Sequence, residues 1–95
     1  MTRKITREAV NAFNRGVRFK QSNTEIKIVD GHPAMYLFGN KIAWKNQQHL
    51  CFTMCGWNSV TTRERLSYLV GNISTKNGNV YWQGQEISPY NIYTI

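Results

Sequence analysis

Turn-forming residue pairs divide this chain into short segments, and they constrain its fold more than any other feature. Asp30-Gly31, Gly39-Asn40 and Asn77-Gly78 each separate two short runs that are rich in apolar and β-branched residues. Such pairs favour tight two-residue turns, which join neighbouring antiparallel strands. The pattern therefore predicts an antiparallel β-meander.

The predicted strands lie on both sides of a central helix. Before it, we expect a meander over residues 24–55, with strands at 24–29, 34–38, 41–44 and 49–55. After it, we expect strands at 73–76, 79–83 and 85–87, and a last edge strand within 89–95. Aromatic side chains of small β domains usually pack in the core or across strands. We therefore place Tyr36, Phe38 and Trp44 in the core. The alternative is that aromatic rings exposed on the sheet stack the bases of a single strand.

The first helix is predicted over residues 6–15. Thr6 is a suitable N-cap, and Gly16 is placed to end the helix in a left-handed conformation. Ile5 and Val10 have the spacing of a hydrophobic staple around that cap. The side chains expected to face the core are Ala9, Val10, Ala12 and Phe13.

The second helix is predicted at about 62–70. Thr61 and Glu64 have the spacing of a capping box, in which each side chain binds the other's backbone amide. Gly71 is a natural stop. The expected apolar stripe consists of Leu66, Leu69 and Val70.

These elements predict one α+β domain over residues 1–95, an antiparallel β-meander sheet with two short helices packed on one face. Ninety-five residues, 41% of them hydrophobic, support one small core. Because the core is small, a homodimer interface or a partner could add to its stability.

The charge of the chain favours anionic partners. Twelve Lys and Arg residues face five acids, for a net charge of +7. A positive field of this size attracts nucleic acid or acidic protein surfaces. Half of the basic residues lie in the first twenty positions: Arg3, Lys4, Arg7, Arg15, Arg18 and Lys20. They are the predicted nucleic-acid-binding residues, with a merely solvated helix face as the alternative.

Membrane and secretion signals are not expected. No stretch approaches the roughly 20 apolar residues that span a bilayer. The basic N-terminus is not followed by an apolar run, so it does not predict a secretory signal. Cys51 and Cys55 fall in one predicted strand and do not form a disulfide framework, which indicates a reducing cytosol.

Catalytic and metal-binding patterns are weak. His49, Cys51 and Cys55 share one face of a predicted strand, where alternate residues are about 7 Å apart. Zinc donors must lie within about 4 Å of one another, so a regular strand cannot supply all three. The five acids are mostly at turns or caps, and no glycine-rich phosphate loop occurs. We expect no enzyme, no metal and no cofactor.

The junction at residues 56–68 is the densest group of interaction-prone side chains. The predicted protein-binding residues are Trp57, Asn58, Arg63, Arg65 and Tyr68. Trp, Tyr and Arg contribute most to interface energies. The alternative is that Trp57 packs beneath the second helix as a buried anchor. Residues two apart on a helix point in different directions, so Arg63 and Arg65 are not expected to share one anion site.

Four blocks of the chain resemble small accessory proteins of tailed bacteriophages. They are residues 1–13, 37–43, 57–66 and 76–82. The resemblance implies a location in the host cytoplasm and a non-enzymatic role in which the protein binds a host protein. That role would be host takeover or inhibition of a host defence, such as an anti-CRISPR-type activity. The alternative is direct nucleic-acid binding through the basic N-terminal region.

Overall fold

The computed structural model describes residues 3–95, and Met1 and Thr2 lie outside the described residues. Within that range the chain forms two helices and nine strands. The helices are α1 (Lys4–Arg15) and α2 (Val60–Val70). The strands are β1 (Phe19–Gln21), β2 (Thr24–Val29), β3 (His32–Leu37), β4 (Asn40–Lys45), β5 (Leu50–Phe52), β6 (Ile73–Lys76), β7 (Asn79–Trp82), β8 (Gln85–Ile87) and β9 (Tyr93–Thr94). The predicted α+β class is confirmed.

The strands form two antiparallel sheets. Across residues 3–95, the large sheet has the order β1-β2-β3-β4-β5-β9, and the small sheet has the order β6-β7-β8. The predicted edge strand of the C-terminal segment is confirmed as β9, which pairs with β5. Strand β1 was not predicted, because three residues are too few to show an alternating pattern. It pairs with β2 across a tight turn.

Both helices pack on one face of the large sheet, as predicted. Phe13 of α1 and Leu66 of α2 are fully buried and belong to the same core as Ile26, Met35 and Phe52 of the sheet. The small sheet extends this core at the end of α2. It contributes three buried side chains: Ile73, Val80 and Ile87.

Helix α1 begins two residues earlier than predicted. Its N-cap is Arg3, whose side chain makes no capping hydrogen bond. Thr6 lies inside the helix and is fully buried, so the predicted Thr6 cap is wrong, and so is the staple built around it. Gly16 ends the helix at φ 69°, as predicted.

The start of α2 also differs from the prediction. Ser59 is the N-cap, and its hydroxyl accepts a hydrogen bond from the backbone N–H of Thr62 at 3.1 Å. The predicted capping box of Thr61 and Glu64 is therefore wrong. Ser59 has extended backbone geometry, with φ −108° and ψ 159°, which suits a cap. Gly71 is the C-cap, as predicted.

The turn between β3 and β4 lies one residue before its predicted place. Leu37 pairs with Asn40, so the two turn residues are Phe38 and Gly39. The predicted core position of Phe38 is wrong, because a turn residue projects from the end of the sheet and Phe38 is exposed. The predicted strand at 49–55 is also shorter, since β5 ends at Phe52.

Candidate functional site

Phe38 and Trp57 form an exposed aromatic pair at one end of the large sheet. Their ring centroids are 5.2 Å apart, and the rings are tilted by 38°. Phe38 is 54% exposed and Trp57 is 46% exposed. Trp57 is therefore not the buried anchor that was the alternative interpretation. Large aromatic side chains that pack together at the surface are typical of contact sites.

The backbone at Phe38 is in an unfavourable conformation for its side chain. Its φ of 51° lies in the left-handed region, which bulky residues rarely adopt. Within residues 3–95, the other non-glycine residues with positive φ are Ser22, Asp30, Cys55, Asn77 and Gln83. Apart from Cys55, these are polar. Phe38 therefore occupies a turn position that favours Asn, Asp or Gly.

Tyr90, in the loop between β8 and β9, contacts the residue that precedes Trp57. Its ring lies on the backbone of Gly56, where an added Cβ would be 2.8 Å from Cε1 of Tyr90. The N–H of Gly56 also donates to the carbonyl of Pro89 at 2.7 Å. Tyr90 is 79% exposed. We call Phe38, Trp57 and Tyr90 together the aromatic patch.

Asn58 and Arg63 place a cation beside this patch. Nη1 of Arg63 donates to the side-chain oxygen of Asn58 at 2.5 Å and approaches its backbone carbonyl at 3.4 Å. Both residues are half-buried. Because Asn58 follows Trp57 directly, the structure brings together three of the five predicted protein-binding residues.

Arg65 does not belong to the surface. Its side chain is 1% exposed, so its prediction as a protein-binding residue is wrong. Position 65 lies on the inner side of α2, where Nε donates to the hydroxyl of Thr24 at 3.2 Å. Nη1 donates to the hydroxyl of Thr6 and to Oε1 of Glu64, the latter at 2.7 Å.

The hydroxyl of Thr6 in turn donates to Oε1 of Glu64 at 2.6 Å. Thr6, Thr24, Glu64 and Arg65 thus form one buried polar network that joins α1, β2 and α2. Burial alone would raise the pKa of the Glu64 carboxyl. The bond from Thr6, a backbone hydrogen bond from Arg3, and the charges of Arg3 and Arg65 outweigh burial and lower that pKa. Burial lowers the pKa of the Arg65 guanidinium, and Glu64 opposes this effect.

Tyr68 is exposed but lies apart from the aromatic patch. It lines a groove of about 420 Å³ together with side chains of α1, among them Arg7, Val10 and Asn11. Eight residues separate it from the first residue of α2, which is about 12 Å along the helix axis. Tyr68 therefore belongs to the groove beside α1 and not to the aromatic patch.

The basic residues of the N-terminal region fall into two groups. Arg3, Lys4 and Arg7 lie at the start of α1, and Arg3 is 3.5 Å from the Glu64 carboxylate. Arg15 is the last residue of α1, and Arg18 and Lys20 lie beyond that end. A 12-residue helix is about 18 Å long. Nucleic-acid binding by all six residues together stays a prediction, and it would need a ligand that reaches both ends of α1.

The residues with metal-binding or nucleophilic chemistry lie elsewhere. Within residues 3–95, no group of three or more His, Cys, Asp or Glu side chains is arranged to hold a metal ion. Cys51 is buried and Cys55 exposed, and both are free thiols. Neither helix of the described chain has the length and apolar composition needed to cross a membrane.

Phe38 and Tyr90 were missed as site residues, although the sequence contains a signal for Phe38. Met35 and Leu37 are both buried on the inner face of β3. Because side chains alternate along a strand, the residue after Leu37 cannot share that face. No comparable signal exists for Tyr90, since its place depends on a contact with Gly56, 34 positions away.

The fold and this site define a small α+β protein that displays an aromatic patch beside a cation. A family model described as Kyanoviridae Gp96 protein matches residues 2–93. The chain therefore belongs to the Kyanoviridae Gp96 family of phage proteins, and the resemblance to phage proteins is confirmed. Comparisons with curated proteins and with solved structures found no match.

Proposed function

We propose that this phage protein is a non-enzymatic accessory protein that binds a host protein through the aromatic patch. In the host cytoplasm it would act stoichiometrically, by covering a surface of its target. The result would be takeover of a host factor or inhibition of a host defence, such as an anti-CRISPR-type activity. Membership in a phage family supports the setting, and the patch supports the mode of action.

The observation that carries this proposal is the conformation of Phe38. A left-handed backbone costs a bulky residue about 1 kcal/mol or more. The ring is not buried in the core in return, since more than half of it is exposed. Unfavourable backbone conformations of this kind concentrate at functional sites. An aromatic ring kept at such a position is best explained by a contact with a partner.

The chemistry of the surrounding residues fits a protein partner. Trp, Tyr and Arg are enriched among the residues that dominate binding energy. The patch supplies Trp57 and Tyr90, and Arg63 is hydrogen-bonded to Asn58, the residue after Trp57. The rings supply apolar area with few rotatable bonds, so little conformational entropy is lost on binding. The hydrogen bond from Arg63 to Asn58 orients the guanidinium before a partner arrives.

The thiol next to the patch does not suit nucleophilic catalysis. Burial raises the pKa of Cys55, and its Sγ lies 3.0 Å from the carbonyl oxygen of Lys41, to which it donates. Both effects favour the protonated thiol, whereas the thiolate is the nucleophile. Binding therefore accounts for this surface better than covalent chemistry does.

The test compares patch variants with a matched control in the phage's host. Tagged wild-type protein, Phe38→Asn, Trp57→Ala and Val29→Ser are expressed, and the proteins that co-purify are identified. Val29 is 48% exposed, close to the value of Trp57, and lies at the opposite end of the large sheet. We expect a host protein that is retained by wild type and Val29→Ser and lost from both patch variants.

The captured protein is then purified and titrated by calorimetry. We expect Trp57→Ala to weaken binding at least about 30-fold, the loss that a 2 kcal/mol hot spot gives. Retention that is equal in all four proteins would overturn the proposal. So would a patch that is covered in a homodimer, which light scattering on the purified protein would show as a doubled mass that Trp57→Ala reduces to the monomer.

A further inference from the structure

The outer face of the large sheet, opposite the helices, carries a second set of aromatic side chains. Ile26, Met35 and Leu37 point to the helices and are buried. Because side chains alternate, Tyr36 lies on the other face, and Trp44 joins it there because it pairs with Ala34. Tyr36 and Trp44 are half-buried. Their predicted core position is therefore wrong, since both rings lie on the outer face.

Lysine side chains cover both rings. Nζ of Lys27 lies 4.7 Å from the centroid of the Tyr36 ring, and Nζ of Lys41 lies 4.7 Å from the centroid of Trp44. Lys27 is opposite Ala34, so Tyr36, two residues further along β3, is its diagonal neighbour on the same face. Lys41 and Trp44 both belong to β4, and the bulge between them places both on the outer face, opposite Tyr36 and Ala34. Each ring face is thus covered by an exposed lysine side chain and not by another element of the core.

The positive charge continues to the edge of the sheet. Arg18, Lys20 and Lys27 line a groove of about 480 Å³ on β1 and β2. Glu25 is an acid on the same face, opposite both Lys20 and Tyr36. Two aromatic rings on this face therefore lie among four basic side chains and one acid, Glu25. The basic side chains are Arg18, Lys20, Lys27 and Lys41.

We propose that this outer face binds single-stranded nucleic acid. Bases would replace the lysine ammonium groups on the rings of Tyr36 and Trp44, and Lys27 and Lys41 would move to the phosphates. Residues at diagonal positions on neighbouring strands lie about 7–8 Å apart, and the rings of Tyr36 and Trp44 are held by such positions, so each ring can take one unstacked base. Aromatic rings within a basic groove are the arrangement by which single strands are bound without sequence preference.

The charge of the face decides between nucleic acid and protein as its occupant. The cores of protein interfaces are depleted of lysine, whereas phosphate binding depends on Lys and Arg. Here lysine covers both rings. Lysine over the rings also distinguishes this face from the aromatic patch. The rings of the patch contact each other or the Gly56 backbone and carry no lysine over them in the described chain.

The test uses fluorescein-labelled oligothymidine and oligouridine of 12 nucleotides, with anisotropy as the readout over a range of salt concentrations. We expect binding at low salt and at least about ten-fold weaker binding of a 12-base-pair duplex, whose bases are not free to stack on the rings. Equal binding of duplex and single strands would overturn the proposal, and so would no binding of any probe at low salt.

The variant pair is Lys27→Gln/Lys41→Gln, and its control is Lys76→Glu. All three lysines are exposed, and both changes lower the net charge by two. We expect the outer-face pair to weaken binding at least about ten-fold. It should also reduce the slope of log affinity against log salt by about 1.4, since each single-strand phosphate contact contributes about 0.7. An equal loss in the Lys76→Glu control would show attraction by net charge alone and overturn the proposal.

Photo-cross-linking provides a readout that does not depend on variants. Trypsin cleaves after Lys27, Lys41 and Lys45, so Tyr36 falls in peptide 28–41 and Trp44 in peptide 42–45. We expect cross-linked nucleotide on these two peptides, and cross-links confined to other peptides would contradict the proposal. Phe38→Asn should retain oligonucleotide binding. Nucleic-acid binding by the outer face and host-protein binding by the aromatic patch are therefore tested separately.

Discussion

Arg63 and Arg65 are two positions apart on α2 and have opposite roles. Two steps along a helix rotate the side chain by about 200°, so Arg63 lies beside the aromatic patch while Arg65 is buried among Thr6, Thr24 and Glu64. Polar side chains are usually exposed and aromatic rings usually buried, but the buried network and the aromatic patch show the reverse. A buried polar group is stable when its hydrogen bonds are satisfied, and a group of exposed aromatic rings is typical of a binding surface.

The buried network fixes the relative placement of three elements. In the described residues, no buried side-chain nitrogen or oxygen lacks a hydrogen-bond partner. Directional bonds from Arg65 to Thr6 and Thr24 define how α2 sits on α1 and β2, which apolar contacts alone do less specifically. The aromatic patch, in contrast, projects from two turns and the loop before α2, so its residues can be substituted with little effect on the core.

The largest expected effect comes from Arg65. Arg65→Met removes one partner of a buried ion pair and leaves the hydroxyls of Thr6 and Thr24 without the donor that Arg65 supplies, while Glu64 keeps the hydrogen bond from Thr6. We expect the free energy of unfolding to fall by about 3–5 kcal/mol, as measured by urea denaturation. The control Arg63→Met should cost about 1 kcal/mol or less. Similar losses for both variants would show that the two arginines do not differ as the structure indicates.

Glu64 gives the next largest effect and makes stability depend on pH. Because its pKa is lowered in the folded state, its contribution is present above the ordinary carboxyl value of about 4.3 and is lost as the pH falls through the folded value. At neutral pH, Glu64→Gln should cost about 1–3 kcal/mol. It should also lose less stability than wild type between pH 5 and 3, whereas Glu86→Gln on exposed β8 should behave like wild type.

A smaller effect is expected where Tyr90 lies on Gly56. Gly56→Ala adds a Cβ at a φ of 75° and brings it within 2.8 Å of the Tyr90 ring. Gly31→Ala is the control, since its φ of 81° is similar and no atom lies within 4 Å of the added Cβ. We expect a loss of about 1 kcal/mol from the backbone in both, and an additional change in Tyr90 NMR shifts in Gly56→Ala alone.

The smallest stability change is expected at Phe38, in the aromatic patch. Asparagine suits the first position of this tight turn, so Phe38→Asn relieves the backbone but loses the contact with Trp57. We expect thermal unfolding to show a gain of a few tenths of a kcal/mol, together with weaker binding of the host protein. A loss above about 1 kcal/mol would mean that Phe38 serves the fold and not a partner.

The turn pairs and alternating segments were sufficient to predict the fold class and most elements. Asp30-Gly31 and Asn77-Gly78 lie in the turns where they were predicted. The start of α2 was predicted wrongly because Ser and Thr are both common N-cap residues. Ser59 is the cap, and Glu64 binds Thr6 and Arg65 instead of forming a capping box with Thr61. Strand β1 was missed because its pairing with β2 is the main reason that it is a strand.

The structure brings three residues of the predicted junction together and buries Arg65. Trp57, Asn58 and Arg63 come together because they are close in sequence, and local geometry is what a sequence pattern encodes. Phe38 and Tyr90 join them from 19 and 33 positions away along the chain. Arg65 was assigned to the surface because arginine is rarely buried without a partner, and its partners Thr6 and Thr24 lie on other elements.

The turns, the alternation within strands, the two helices and their glycine ends follow from local sequence, because they depend on the backbone preferences of neighbouring residues. Which polar residues are buried and which aromatic rings are exposed depends on tertiary packing. Burial of a charge requires partners from distant segments, as with Arg65. The face on which Tyr36 and Trp44 lie depends, in turn, on where the helices pack on the sheet.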